Sequence, residues 1–125
     1  MDYRIRTLVD LVQADLAHDI DVGRLASIVG MSVPGLRLLF KRDVGLPPQR
    51  FIKQLRLERA RSILCSQMLS VKEVMVIVGF RDESHFVKDF ARRYGLSPLR
   101  YRQQFFGRLS PHETSAGPTY SRISQ

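Results

Sequence analysis

One cysteine, Cys65, is all the chain has in 125 residues. An intramolecular disulfide, a CxxC zinc knuckle and a thiol redox pair are therefore excluded. The apolar neighbours Ile63 and Leu64 place Cys65 in or beside a core. Long apolar runs are missing too. None approaches the roughly 18 residues of a membrane span, and Met1-Asp2-Tyr3-Arg4 lacks the apolar stretch of a signal peptide, so a cytoplasmic protein without a membrane partner is expected. No segment alternates apolar and polar residues with period two, which points to an all-α fold. His18, His85 and His112 are remote from one another and joined by no carboxylate cluster, so no metal site and no cofactor are expected. Acidic residues are scarce over one region in particular. Residues 33–108 hold sixteen basic and six acidic side chains, residues 1–32 three and five, and residues 109–125 one of each. The formal charge of +8 thus belongs to the centre of the chain, and such an excess favours a polyanion as partner.

What is present is a repeat. Val22 to Phe51 and Val71 to Tyr101 follow one plan. Leu25/Val74, Val29/Val78 and Gly30/Gly79 pair at an offset of 49. After one extra residue in the second turn, Leu36/Phe86, Phe40/Phe90, Gly45/Gly95, Leu46/Leu96, Pro48/Pro98 and Phe51/Tyr101 pair at 50. Each copy reads as a short helix stopped by Gly, a tight turn opening on a capping residue, and a longer basic helix stopped by another Gly. That order is the pattern of a helix-turn-helix.

The remaining elements follow from periodicity and caps. Ile5, Leu8, Val9, Val12 and Leu16 recur at three and four, predicting an amphipathic first helix from about Tyr3 to His18. Asp21 caps the next helix, and Ser32 and Asp82 occupy equivalent capping places in the two turns. Pro47-Pro48 opens a helix of about nineteen residues, roughly 28 Å at 1.5 Å per residue. Its apolar positions Phe51, Ile52, Leu55, Leu57, Ala60, Ile63 and Leu64 cover more than one stripe, as expected of a rigid spacer packing on both halves. Ser70-Val71-Lys72-Glu73 has the form of a capping box. A helix from about Glu83 to Tyr94 and a closing helix from Pro98 through Phe105 complete a set of about seven. The expected divisions are a first helix-turn-helix over about 21–45, a linker helix over about 48–67 and a second helix-turn-helix over about 70–95, within a domain of residues 1–107. The apolar pattern stops after Gly107, and residues 108–125 read as a disordered tail.

At about 100° per residue, Leu36, Leu39, Phe40 and Val44 fall on one arc of the third helix and face the core. Pro34, Leu38, Lys41 and Arg42 occupy the opposite arc, with Arg37 on its flank. In the sixth helix Phe86, Phe90 and Tyr94 face inward, and Ser84, Lys88 and Ala91 outward, with His85 and Arg92 flanking. Arg37 can present a bidentate fork to guanine O6 and N7, and Lys88 can donate to the same acceptors. Leu38 is either an ordinary exposed leucine or a contact to a thymine methyl.

Leu55-Arg56-Leu57-Glu58-Arg59-Ala60, then Val78-Gly79-Phe80, then the run from His85 to Pro98 followed by Tyr101-Arg102, resemble the DNA-binding domain of the AraC/XylS family of transcriptional regulators. The resemblance covers about Arg4 to Gln104. It implies two helix-turn-helix subdomains joined by a long linker helix, with the third and sixth helices in successive major-groove segments of double-stranded DNA. It implies base contacts at Pro34, Arg37, Leu38, Ser84, His85 and Lys88. Candidate phosphate contacts are Ser32, Lys41, Arg42, Arg50, Lys53, Arg92, Arg93 and Arg102. The family usually attaches this domain to a separate effector-binding or dimerisation domain, so no small-molecule effector site is expected here. Most relatives activate transcription, which makes an activator the expectation and RNA polymerase a further partner.

The chain departs from the family at Met75, where a small residue is usual and the first copy keeps Ala26. Val76 and Ile77 stand where polar residues are common, and are either a partner contact or plain surface. Gly23 and Gly35 fall inside expected helices, at a cost of about 0.8–1 kcal/mol each relative to Ala. Two other classes compete. A detached DNA-binding fragment would occupy sites, or contact RNA polymerase, without its own sensor. An enzyme of the DNA-repair alkyltransferase kind would need an activated cysteine, and a lone Cys65 on the linker helix is a poor nucleophile.

Overall fold

Short-range capping decides where each helix starts and stops. The computed structural model describes residues 1–108; the tail expected from residue 108 onward lies, apart from Arg108, outside the described residues. Among the described residues there are seven helices: α1 (Tyr3–Ala14), α2 (Val22–Ile28), α3 (Val33–Val44), α4 (Pro48–Ser66), α5 (Val71–Ile77), α6 (Glu83–Tyr94) and α7 (Pro98–Phe105). No strand occurs among the described residues.

The repeat written in the sequence is repeated bond for bond in the backbone. At the end of α2, Gly30 N–H donates to Ser27 O at 3.2 Å and Met31 N–H to Ala26 O at 2.9 Å. At the end of α5, Gly79 donates to Val76 O at 3.1 Å and Phe80 to Met75 O at 3.0 Å. This paired closure needs a left-handed residue after the helix, and Gly30 and Gly79 supply it with φ of 69° and 94°. The longer helices stop alike, with Gly45 donating to Lys41 O and Gly95 to Ala91 O, both at 2.8 Å.

The chain forms two compact units. In the first, Met1–Leu55, α1, α2, α3 and the start of α4 enclose a mainly aliphatic core that includes Ile5, Leu8, Val9, Leu25, Leu36 and Val44. Helices α2 and α3 meet at 88°, the steep crossing of a helix-turn-helix. Phe40 meets Phe51 edge-on, with ring centroids 5.4 Å apart. In the second unit, which begins at residue 56, the rest of α4 packs with α5, α6 and α7. Phe90 and Tyr101 make the equivalent edge contact at 5.5 Å, inside a more aromatic core with Phe86, Val74 and Leu64. The wide apolar arc of α4 is explained by this division: Phe51, Ile52 and Leu55 belong to the first core, and Leu57, Ala60, Ile63, Leu64 and Cys65 to the second.

One expectation needs correction. Helix α1 ends at Ala14, four residues before His18. Asp15 turns out of the helix at φ −146° while its N–H still reaches Val12 O, and His18 Nδ1 closes on the Asp15 carboxylate at 2.6 Å. Leu16 nevertheless stays buried, so the apolar periodicity outlasts the helix that it predicted. Gly23 and Gly35 lie inside α2 and α3 as expected, but near the helix starts rather than mid-helix. In these first turns their N–H groups donate to the Asp21 carboxylate at 3.0 Å and the Ser32 hydroxyl at 3.2 Å. A Cβ on Gly35 would sit 3.0 Å from Ser32 Oγ, so the small residue keeps the cap in place. Met75 is buried, as is Ala26; the flexible thioether fills the second unit where Ala serves the first.

Candidate nucleic-acid interface

In both helix-turn-helix units the longer helix, α3 or α6, packs one face inward and leaves the other bare. On α3, Leu36, Phe40 and Val44 are buried. Pro34, Arg37, Leu38 and Lys41 are exposed and share a stripe at spacings of three and four. Leu38 is 76% exposed, although Leu36 and Phe40, two residues away on either side, are buried. On α6, Phe86 and Phe90 are buried, while Ser84, His85, Lys88 and Arg92 are exposed. Ala91, expected on the outer arc, is half-buried.

The starts of these helices differ in charge. Ser32 Oγ caps α3 with a neutral hydroxyl. Asp82 caps α6 by accepting from His85 N–H at 3.0 Å, and this hydrogen bond holds the Asp82 carboxyl below its ordinary range. Glu83 then opens α6 and is exposed. Glu83 is one of the few acids in the basic region and has no marker in the sequence beyond starting a helix. It stands beside Ser84 and His85, and a carboxylate there can accept from cytosine N4. Both helices end in basic residues, Lys41 and Arg42 on α3, and Arg92 and Arg93 on α6, which complement the negative end of the helix dipole.

The eight candidate phosphate residues separate into different environments. Ser32, Lys41, Arg50, Lys53 and Arg92 are exposed. Arg42 is exposed but donates from Nε to Asp43 at 3.0 Å. Asp43 also accepts from Asp2 N–H at 2.8 Å, tying the chain's start to the end of α3. Those two donors, the Asp2 N–H foremost, hold the Asp43 carboxyl below its ordinary range against desolvation. Arg93 is engaged inward: Nη2 reaches Glu58 Oε1 at 2.7 Å and Nε donates to Tyr94 Oη at 3.2 Å. Its guanidinium and that of Arg61 lie 5.5 and 5.2 Å from the Tyr94 ring centroid. Arg102 is engaged likewise, donating to Leu64 O at 3.0 Å and Gln67 O at 3.1 Å, where it serves the orphan carbonyls at the end of α4. Cys65, the other residue considered for chemistry, is buried, and desolvation pushes its thiol above the ordinary range. A thiol kept protonated is a weak nucleophile.

Among the described residues no single helix is long and apolar enough to cross a membrane. A helix-turn-helix domain family matches residues 25–104. The chain is 34% identical over 103 residues to the HTH-type transcriptional regulator MtrA of Neisseria gonorrhoeae, covering 82% of this chain and 34% of that protein. It is 31% identical over 102 residues to the HTH-type transcriptional activator RhaS of an Enterobacter species, covering 82% and 37%. It therefore spans about a third of the length of these curated relatives. Among solved structures, the DNA-binding domain of AdpA in complex with a target DNA matches with a TM-score of 0.79 at 27% identity, over 82% of this chain and 92% of that one. An AraC-type transcriptional regulator from Chromobacterium violaceum matches with a TM-score of 0.76 at 26% identity, over 85% and 95%. With the family matched across both helix-turn-helix units, the chain belongs to the AraC/XylS family of transcriptional regulators and carries its DNA-binding domain.

Proposed function

We propose that this domain, residues 1–107, is the reading head of a sequence-specific transcriptional regulator, and that α3 and α6 enter successive major-groove segments on one face of double-stranded DNA. The observation that carries the reading is the duplicated build: two capped basic helices, each with its inner arc locked in a core and its outer arc exposed. The relative solved with target DNA supports it. Arg37 and Lys88 are the leading base readers, with Pro34, Leu38, Ser84 and His85 beside them. Lys41, Arg42, Arg50, Lys53, Arg92 and the Ser32 cap hold phosphates. Arg93 and Arg102 are left out of that set, because their guanidinium groups are engaged by Glu58, Leu64 O and Gln67 O of the second unit. The relative named an activator favours activation, with RNA polymerase as the further partner.

The outer arcs of α3 and α6 differ chemically, so the site of one chain is asymmetric and about two helical turns long. Selection from randomised duplexes supplies that site. On it, Arg37→Ala and Lys88→Ala each cost about 1–3 kcal/mol and relax preference at base pairs in different groove segments. Arg50→Ala weakens all sequences alike. Affinity falls steeply with salt, with a log–log slope near −0.9 per phosphate neutralised. Equal binding of selected and random duplexes at every salt concentration would overturn the proposal.

A further inference from the structure

The first unit carries a surface feature that DNA reading does not use. Between the end of α1 and α2 lies an open groove of about 220 Å³, floored by Leu11, Val12, Ile20, Leu25 and Ile28. Leu11 and Ile28, large apolar residues, are 45% and 54% exposed there. The rim carries Asp15, Asp19 and Asp21 against Arg24 and His18. Three of the five acidic residues among the first 32 thus surround one apolar floor. Asp15 is in contact with His18, and Asp21 caps α2, yet both carboxylates remain at the surface.

We propose that this groove docks a basic, amphipathic helical segment of another protein, with its leucine-like side chains on the Leu11/Ile28 floor and its lysines or arginines against the aspartate rim. Charge selects the occupant. A nucleic acid is disfavoured because the three carboxylates outnumber Arg24 and His18 on the rim, and the groove lies outside the basic region that favours a polyanion. The volume falls below the 300–1,000 Å³ of drug-sized ligand pockets and suits one or two side chains. An amphipathic helix presents such anchors at spacings of three and four.

The test uses the full 125-residue chain and a fluorescein-labelled twelve-residue helical peptide with leucines at i, i+3, i+4 and i+7 and lysines elsewhere. A second peptide carries glutamates in place of lysines. Fluorescence polarisation measures affinity, and amide chemical shifts in NMR locate the contact. The lysine peptide is expected to bind at least tenfold tighter than the glutamate peptide, although the protein itself is cationic, with shifts centred on Leu11 and Ile28. Leu11→Gln and Ile28→Gln, both at exposed positions, weaken it fivefold or more, whereas Arg24→Glu tightens it at least threefold. Circular dichroism confirms that each variant is folded. Equal affinity for the two peptides, or shifts centred elsewhere, overturns the proposal. So does concentration-dependent self-association abolished by Ile28→Gln, which would make a second copy the occupant.

Discussion

Two adjacent arginines on α6, Arg92 and Arg93, differ in what they are joined to, and replacing each by alanine separates a surface charge from a packing one. Arg93 Nη2 lies 2.7 Å from Glu58 Oε1, with side chains 28% and 10% exposed. Breaking a fully buried ion pair costs about 3–5 kcal/mol, because the remaining charge stays desolvated and unpaired. An exposed pair is worth about 0.2–1 kcal/mol. Here the carboxylate is the more buried partner, so most of its desolvation remains when the guanidinium is removed. The contact of Arg93 with the Tyr94 ring is lost as well, worth about 0.5–1 kcal/mol at exposed sites. Arg93→Ala is therefore expected to destabilise the protein by about 2 kcal/mol. With a urea m-value of about 1–2 kcal/mol/M, the midpoint falls by about 1–2 M. Arg92→Ala is expected to stay within about 0.5 kcal/mol of the parent, while its DNA salt slope loses about one unit. Urea unfolding followed by circular dichroism, and salt-dependent binding to the selected duplex, read the two effects separately. Identical midpoints for the two variants would refute the reasoning, as would a double-mutant cycle with Glu58→Gln that gave coupling below about 0.5 kcal/mol.

Gly95→Ala should cost about 1–2 kcal/mol, all of it backbone strain, because φ is +82° and no atom lies within 4 Å of the added Cβ. Gly95→Asn should cost less, and a urea midpoint equal to the parent's for the alanine variant would contradict this. Inserting four helix-forming residues between Arg59 and Ala60 adds about 6 Å and roughly 40° of rotation. The expected product is folded, keeps weak salt-sensitive DNA binding and loses specific affinity, whereas retention of parental affinity would mean that one unit reads the site alone. The His18 imidazole, hydrogen-bonded to Asp15, should titrate above its ordinary value, as read from ring proton shifts against pH, and Asp15→Asn should bring it back down. Because the folded-state value is raised, the pair's favourable contribution is full below about pH 6.5 and is lost as pH rises through the folded value. Both side chains are largely exposed, so the titration curve reports this better than stability does.

Much of this domain was legible in the sequence because much of it is local. Ser32, Ser70, Asp82 and Ser97 each satisfy an N–H three residues ahead, and Gly30, Gly45, Gly79 and Gly95 take the left-handed conformations that close helices. Caps and stops of this reach, together with a period of 3.6, placed the helices and told the inner arcs of α3 and α6 from the outer ones. The duplication doubled every such signal. Tertiary structure alone decided what the arginines do. Arg93 meets Glu58 across 35 residues and Arg102 meets Leu64 O across 38, and no pattern along the chain distinguishes them from Arg92. It also decided that α1 ends at Ala14 although its apolar rhythm runs on to Leu16, since burial of Leu16 needs the core and not the helix. The acid-rimmed groove was invisible for the same reason. Leu11 and Ile28 come from separate helices, and an apolar floor exists only where two elements pack side by side and leave part of their shared surface uncovered.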